Sequence, residues 1–179
     1  MKRRRSAVLK VFLSLAAFTL TAASNISAQA SEKILYSFTG GSDGSLLEAG
    51  LIFGGKGNLY STAAFGGSAG GCFGCGTVFE LSLGPNGTWT EKVLYSFTGS
   101  DGDGSNPYGG LVFDSKGNLY GTTESGGTTF IYGTVFELTP GTNDTWTEKV
   151  LYRFSGGPDG GLPVSGLILD EAGNLLRYY

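Results

Sequence analysis

Cys72 and Cys75 are the only sulfur pair in the chain, two residues apart within a glycine-rich loop at residues 66–76. A Cys-x-x-Cys can help hold zinc, carry electrons or close a small disulfide. A structural zinc site takes four ligands, and the chain has no second cysteine pair and no histidine. A thioredoxin-like redox pair opens a helix, which so many glycines do not favour. In an oxidising compartment a local disulfide is therefore the expected state, with two reduced loop thiols as the alternative.

Oxygen ligands gather in three other loops, at residues 42–45, 100–106 and 158–160. The middle one alone carries two carboxylates, Asp101 and Asp103, with Asn106 beside them. Closely spaced carboxylates and amides with glycines can wrap calcium, so these three residues are the candidate metal site. Calcium is the one cofactor the loops would accept. The EF-hand pattern is not met, and Asp-Gly is also ordinary turn chemistry.

Acids also recur at fixed intervals: Glu32, Glu91 and Glu148; Glu80 and Glu137; Asp114 and Asp170. A glycosidase needs two carboxylates about 5–9.5 Å apart. A catalytic acid is usually singular, however, and recurrence points to a structural duty. The absence of histidine removes the commonest general base. No serine-nucleophile or phosphate-loop motif stands out. No catalytic residue is assigned, and an enzyme is the class the sequence supports least.

The elements that must position these residues form a tandem repeat. Glu32-Lys33-Ile34-Leu35-Tyr36-Ser37-Phe38 returns from Glu91 to Phe97 and again from Glu148 to Phe154. Gly57-Asn58-Leu59-Tyr60 returns at Gly117 and, as Gly-Asn-Leu-Leu, at Gly173, while Gly76-Thr77-Val78-Phe79-Glu80-Leu81 returns at Gly133. The period is roughly 58 residues, in the range of repeat architectures. Repeats are read at 31–90 and 91–147, with a partial third at 148–179. Each period predicts four strands, placed in the middle copy at 89–97, 110–114, 119–123 and 134–139, with a tight turn at 115–118. Residues 33–38 are expected to be the outer strand that opens the array. Apolar side chains fall on both faces, so both faces require neighbours.

The first 30 residues read as a signal peptide, with basic Lys2 to Arg5 and Lys10, an apolar run at 11–23, and Ala28-Gln29-Ala30 before Ser31. Its removal leaves seven basic residues against 15 acidic ones. Such a surface disfavours nucleic acid. The expected location is secreted or extracellular, at the bacterial cell exterior or in the periplasm, with no membrane anchor after cleavage. The 32 glycines of 179 residues read as turns between short strands.

Four antiparallel strands, apolar on both faces and repeated in tandem, are what a β-propeller blade requires. The fold class is all-β: about 2.6 blades of an incomplete propeller, or an open β array. The hairpin of Asp114, Gly117, Asn118 and Tyr120 is similar to the inner strands of NHL and gluconolactonase-type propellers. Leu94-Tyr95-Ser96-Phe97, Gly110-Leu111-Val112-Phe113-Asp114, Gly117 to Thr123 and Gly133 to Leu138 together resemble GloVer, a bacterial tandem-repeat family of choice-of-anchor proteins. That resemblance implies an extracellular or surface protein with more repeats and often a C-terminal sorting segment, which is not recognised here. It brings no catalytic residue. The leading functional expectation is a non-enzymatic interaction scaffold with a protein partner, self-associating if the propeller is to close, or a truncated copy of a longer relative. The alternative is a glycan-binding or glycan-processing propeller that uses loop aromatics: Phe65, Phe73, Tyr108, Phe130 and Tyr132.

Overall fold

The computed structural model describes residues 32–69, 74–127 and 131–177. The leader, the cleavage point before Ser31, Cys72, Phe73 and Phe130 lie outside the described residues. In chain order the strands are β1 (Ile52–Phe53), β2 (Leu59–Ala63), β3 (Thr77–Leu83), β4 (Trp89–Ser96), β5 (Gly104–Ser105), β6 (Val112–Phe113), β7 (Leu119–Thr123), β8 (Ser125–Gly126), β9 (Thr134–Pro140), β10 (Trp146–Arg153), β11 (Ile168–Leu169) and β12 (Leu175–Leu176). Among the described residues there is no helix, and so none long and apolar enough to cross a membrane.

Two antiparallel four-stranded sheets, β1-β2-β3-β4 and β6-β7-β9-β10, form the first and second blades. The hairpin β11-β12 supplies two inner strands of a third, and none of these sheets closes on itself. The strand order is the one the repeat predicts. Within each full blade the outer strand carries one extra residue, Leu94 opposite Val78–Phe79 and Leu151 opposite Val135–Phe136. A bulge of this kind interrupts alternation, which is why these strands read as apolar at successive positions.

Two sequence expectations are corrected, and one strand pairing is new. Residues 33–38 do not form a strand. The described residues hold no upstream strand for them to pair with, so Leu35, Tyr36 and Phe38 only pack against the first blade. The inner strand expected at 110–114 is confined to Val112–Phe113, because Asp114 already belongs to the turn. The pairing of β5 with β8 was not expected, and it brings Gly104 opposite Gly126.

The core follows from blade stacking. Val78 and Leu94 of the first blade, with Phe97 just after its outer strand, meet Leu111, Leu119, Phe136 and Leu138 of the second blade in one cluster. Leu59, Phe79 and Leu81, on the opposite face of the first blade, form the other cluster with Phe38 and its neighbours. Phe97 meets Phe136 edge-on at 5.1 Å, and Phe38 repeats that contact with Phe79 at 4.8 Å. Gly76 and Gly133 are required where the chain enters β3 and β9. Both have positive φ, and an added Cβ would lie 2.4 Å from Pro107 and 2.8 Å from Pro163, in the segments leading to the next blade.

Candidate functional site

Every loop that follows an outer-strand sequence is closed by one aspartate. Asp103 accepts hydrogen bonds from the Thr98 amide at 2.7 Å, the Thr98 hydroxyl at 2.9 Å and the Tyr95 hydroxyl at 3.1 Å. Asp43 takes the Thr39 amide and hydroxyl, both at 2.7 Å, and the Tyr36 hydroxyl at 3.5 Å. Asp159 takes the Ser155 amide at 2.9 Å, the Ser155 hydroxyl at 2.5 Å and the Tyr152 hydroxyl at 2.9 Å. Sequence reasoning missed this clasp. Its signal is Tyr-x-Phe-Thr/Ser-Gly followed by an aspartate four or five residues after the Thr/Ser, present in all three copies.

The clasps set the electrostatics of Asp43 and Asp159. The Ser155 hydroxyl and amide bring Asp159 down to about 2. Burial alone would raise Asp43, but the bonds from Thr39 and Gly41 outweigh it and hold the carboxyl below its usual range.

The candidate calcium ligands sit in the second clasp without converging on a cation. Asp103 is engaged as described, and also accepts from the Gly104 amide at 2.6 Å. Asp101 is an exposed turn residue with φ of 54°. Asn106, also at positive φ, ties the loop to the first repeat: its amide donates to the Cys75 carbonyl at 2.7 Å and its side chain to the Ala64 carbonyl at 3.0 Å. Among the described residues no group of three or more acidic, cysteine or histidine side chains is placed to hold a metal ion. Cys75 is buried and is not a free thiol; its sequence partner Cys72 is outside the described residues.

The hairpin acids have the same kind of duty. Asp114 accepts from the Lys116 and Asn118 amides, from the Asn118 side chain and from the Tyr120 hydroxyl, which also reaches Glu137 at 2.8 Å. Asp170 repeats the turn with Ala172 and Asn174. The first blade has Gly54 at this place, and Glu80 instead takes both Asn58 and Tyr60. Burial first, and then the bond to Glu80, push the Tyr60 phenol up to about 12.

Glu91 and Glu148 differ from the other recurring acids. Each has Oε1 buried with no hydrogen-bond partner. Burial, then the charge of Asp43, raises Glu91 to about 7. Burial, then Asp103, raises Glu148 to about 7 against an opposing pull from Arg153. These carboxyls hold a proton near neutrality. They occupy equivalent seams between successive repeats, which makes them part of the stacking scheme.

Among the described residues, three grooves open to solvent bear on the site. One of about 490 Å³ lies between the first two blades, with Tyr60, Phe113, Trp146, Glu80, Lys92 and Asn58 in its wall. Tyr60 meets Phe113 edge-on at 5.0 Å and lies 6.4 Å from Trp146. A second, of about 420 Å³, occupies the next seam, with Asp114, Lys116, Tyr120 and Leu169. The two share repeat-equivalent residues, Lys56 and Lys116, Tyr60 and Tyr120, Phe113 and Leu169. The third, of about 540 Å³, is lined by glycines, serines, Ala69 and Phe65. Of the loop aromatics, Phe65 and Tyr108 are brought together edge-on at 6.4 Å. Tyr132 lies apart, packed close to Gly156 and Gly161.

A family model described as the Gloeobacter/Verrucomicrobia repeat matches residues 16–177. No curated protein and no solved structure matches the chain.

Proposed function

The chain belongs to the Gloeobacter/Verrucomicrobia repeat family, and from that membership we propose that it works outside the cytoplasm as a non-enzymatic interaction scaffold. One observation carries this reading. The carboxylates that recur along the chain are engaged, copy after copy, in closing loops and turns: Asp43, Asp103 and Asp159 in the clasps, Asp114 and Asp170 in the hairpins. Acids already held by several donors are poorly placed to act as proton donors or cation ligands. An exported array built this way presents a rigid surface to a partner. Cys72 and Cys75 would be paired in that oxidising setting.

The groove beside Trp146 supports a second reading, glycan binding. Half-buried Tyr60, Phe113 and Trp146 stand next to Glu80, Lys92 and Asn58, the mixture of ring faces and polar groups that sugars use. A glycan array probed with residues 31–179 separates the two readings. The scaffold reading expects no glycan bound and no glycan cleaved. A hit abolished by Trp146→Ala would replace it with the glycan reading.

A further inference from the structure

The loop and hairpin acids that recur from blade to blade are fastened by hydrogen-bond donors. Glu48 and Glu124 do not recur, and among the described residues no donor is placed on either carboxylate. Both lie at the end of the array where the long loops leave the strands. There the Ala64 amide donates to the Leu46 carbonyl at 3.0 Å and the Glu124 amide to the Asn106 carbonyl at 2.9 Å. The Asn106 side chain joins the two blades through the Ala64 carbonyl, also at 3.0 Å. Phe65, 40% exposed, and half-buried Tyr108 meet edge-on beside these bonds at 6.4 Å. Burial, then the charges of Glu124 and Glu48, raise the Tyr108 phenol. None of these four side chains repeats. Tyr108 stands where the other copies have Glu48 and Val164, Glu124 where the first has Ala64, and Phe65 where the second has Ser125. A duty common to every blade therefore does not account for them.

Cations are set elsewhere. Lys56 and Lys116 sit in the hairpin turns at the opposite end, and the register places Lys92 and Lys149 level with Tyr60 and Tyr120, next to those turns. At the loop end Arg153 donates to the Gly102 carbonyl and Arg177 to the Asp159 carbonyl. Both guanidiniums are thus tied to the clasp loops.

We infer that the patch of Phe65, Tyr108, Glu48 and Glu124 docks an arginine-bearing segment of a partner protein. The inference rests on the scaffold reading and names the kind of partner. An exposed ring accepts a guanidinium by cation–π contact, and a carboxylate takes its forked N–H donors. Two rings beside two unpaired carboxylates supply both. A lysine ammonium is a strongly hydrated point charge and gains less from ring faces. A neutral sugar would use the rings but leave both carboxylates without a counter-charge, so charge complementarity decides for a cation. Beyond the leader, 15 acidic residues against seven basic ones add long-range attraction for such a segment.

Fluorescence anisotropy of labelled hexa-arginine titrated with the full chain tests it, with circular dichroism to verify folding. Binding at tens of micromolar is expected. Glu48→Gln with Glu124→Gln, and separately Phe65→Ala with Tyr108→Ala, should each weaken it about tenfold. Removing two carboxylates at the turn end, Asp144→Asn with Glu171→Gln, should change it less than about twofold, and hexa-lysine should bind several-fold more weakly. No binding of hexa-arginine at about 1 mM chain would overturn the inference. So would a turn-end pair that costs as much as the Glu48 and Glu124 pair, an aromatic pair without loss, or hexa-lysine bound as tightly as hexa-arginine. A glycan-array hit abolished by Phe65→Ala would give the patch to sugars and overturn it too. Should the alanine pair fail to fold, Phe65→Leu with Tyr108→Leu keeps the bulk without the rings and gives the same readout. Absent peptide binding leaves the scaffold reading standing, whereas a glycan hit abolished by Trp146→Ala sinks that reading and not this patch.

Discussion

Leu94 and Leu151 are the same residue at the same bulge of equivalent outer strands, yet Leu94 is 9% exposed and Leu151 37%. Val78 is fully buried, while its counterpart Val135 is only partly so. The first blade has a complete four-stranded neighbour on its back, and the second has only a hairpin. The two blades share sequence, strand order and loop clasps, so the neighbour alone accounts for the contrast. Stability in such an array is a sum of what each repeat does by itself and what each seam adds. The first seam adds most, because its cluster packs Phe97, which follows the outer strand of the first blade, against Phe136 of the second.

The largest test of that contrast is Phe136→Ala. The ring is fully buried in the shared cluster, so its loss should cost about 3–5 kcal/mol. Both blades should then unfold in one transition when followed by Trp89 and Trp146 fluorescence in urea. Two separated transitions would show that the seam does not couple them.

The clasps come next. Asp103→Ala strips a partly buried carboxylate from Tyr95, Thr98 and Gly104 and should cost about 1.5–3 kcal/mol by the same urea titration. Asp159→Ala removes the equivalent bonds at the exposed end and should move the midpoint far less. Equal shifts would mean that the covering neighbour adds nothing to a clasp.

Gly121 sharpens the comparison further. Its first-blade equivalent is Ser61, which is buried and donates its hydroxyl to the Ala49 and Gly50 carbonyls. A Cβ at Gly121 would lie 2.6 Å from the Phe136 ring and 3.0 Å from Leu111. Gly121→Ser should therefore lower stability by about 1–3 kcal/mol through overpacking. A neutral result would show that the second blade has the slack of the first.

The smallest effect is on pH. Burial raises Glu91 and Glu148 to about 7 in the folded chain, from an ordinary carboxyl value of 4.5. Between those values the folded state binds more protons than the unfolded state, so stability falls as pH rises from about 4.5 to 7 and then levels off. Asp43, Asp114 and Asp159 act oppositely: their lowered values give stability that is lost as pH falls through the folded carboxyl range. Glu148→Gln and Glu91→Gln should each flatten the decline toward pH 7. Thermal melts across pH 4–8, with carboxyl ¹³C titration, read both; a carboxyl midpoint near 4.5 would remove the effect.

Much of the fold was legible because it is local. The hairpin at Asp114, Gly117 and Asn118 needs a left-handed glycine and an aspartate that can take nearby amides, and those residues announce themselves in order. β2, β7 and β9 fall where alternation and glycine breaks put them. The loop acids were harder. Asp101, Asp103 and Asn106 have the same composition whether they wrap a cation or fasten a turn, and only the approach of Tyr95 and Thr98 to Asp103 separates the two.

By itself the sequence determined the period, the strand order within a blade and the need for both faces to be covered, because those follow from side-chain alternation and turn chemistry within a few residues. Tertiary structure alone decided which copy of each repeated residue is buried. It left residues 33–38 without a strand partner, set Glu91 and Glu148 in seams beside a second carboxylate, and left Leu51 bare while Leu111 is covered. The physical reason is that burial and charge depend on what lies across the seam, supplied by residues some 40 or more positions away, as when the Thr62 hydroxyl reaches the Gly109 carbonyl.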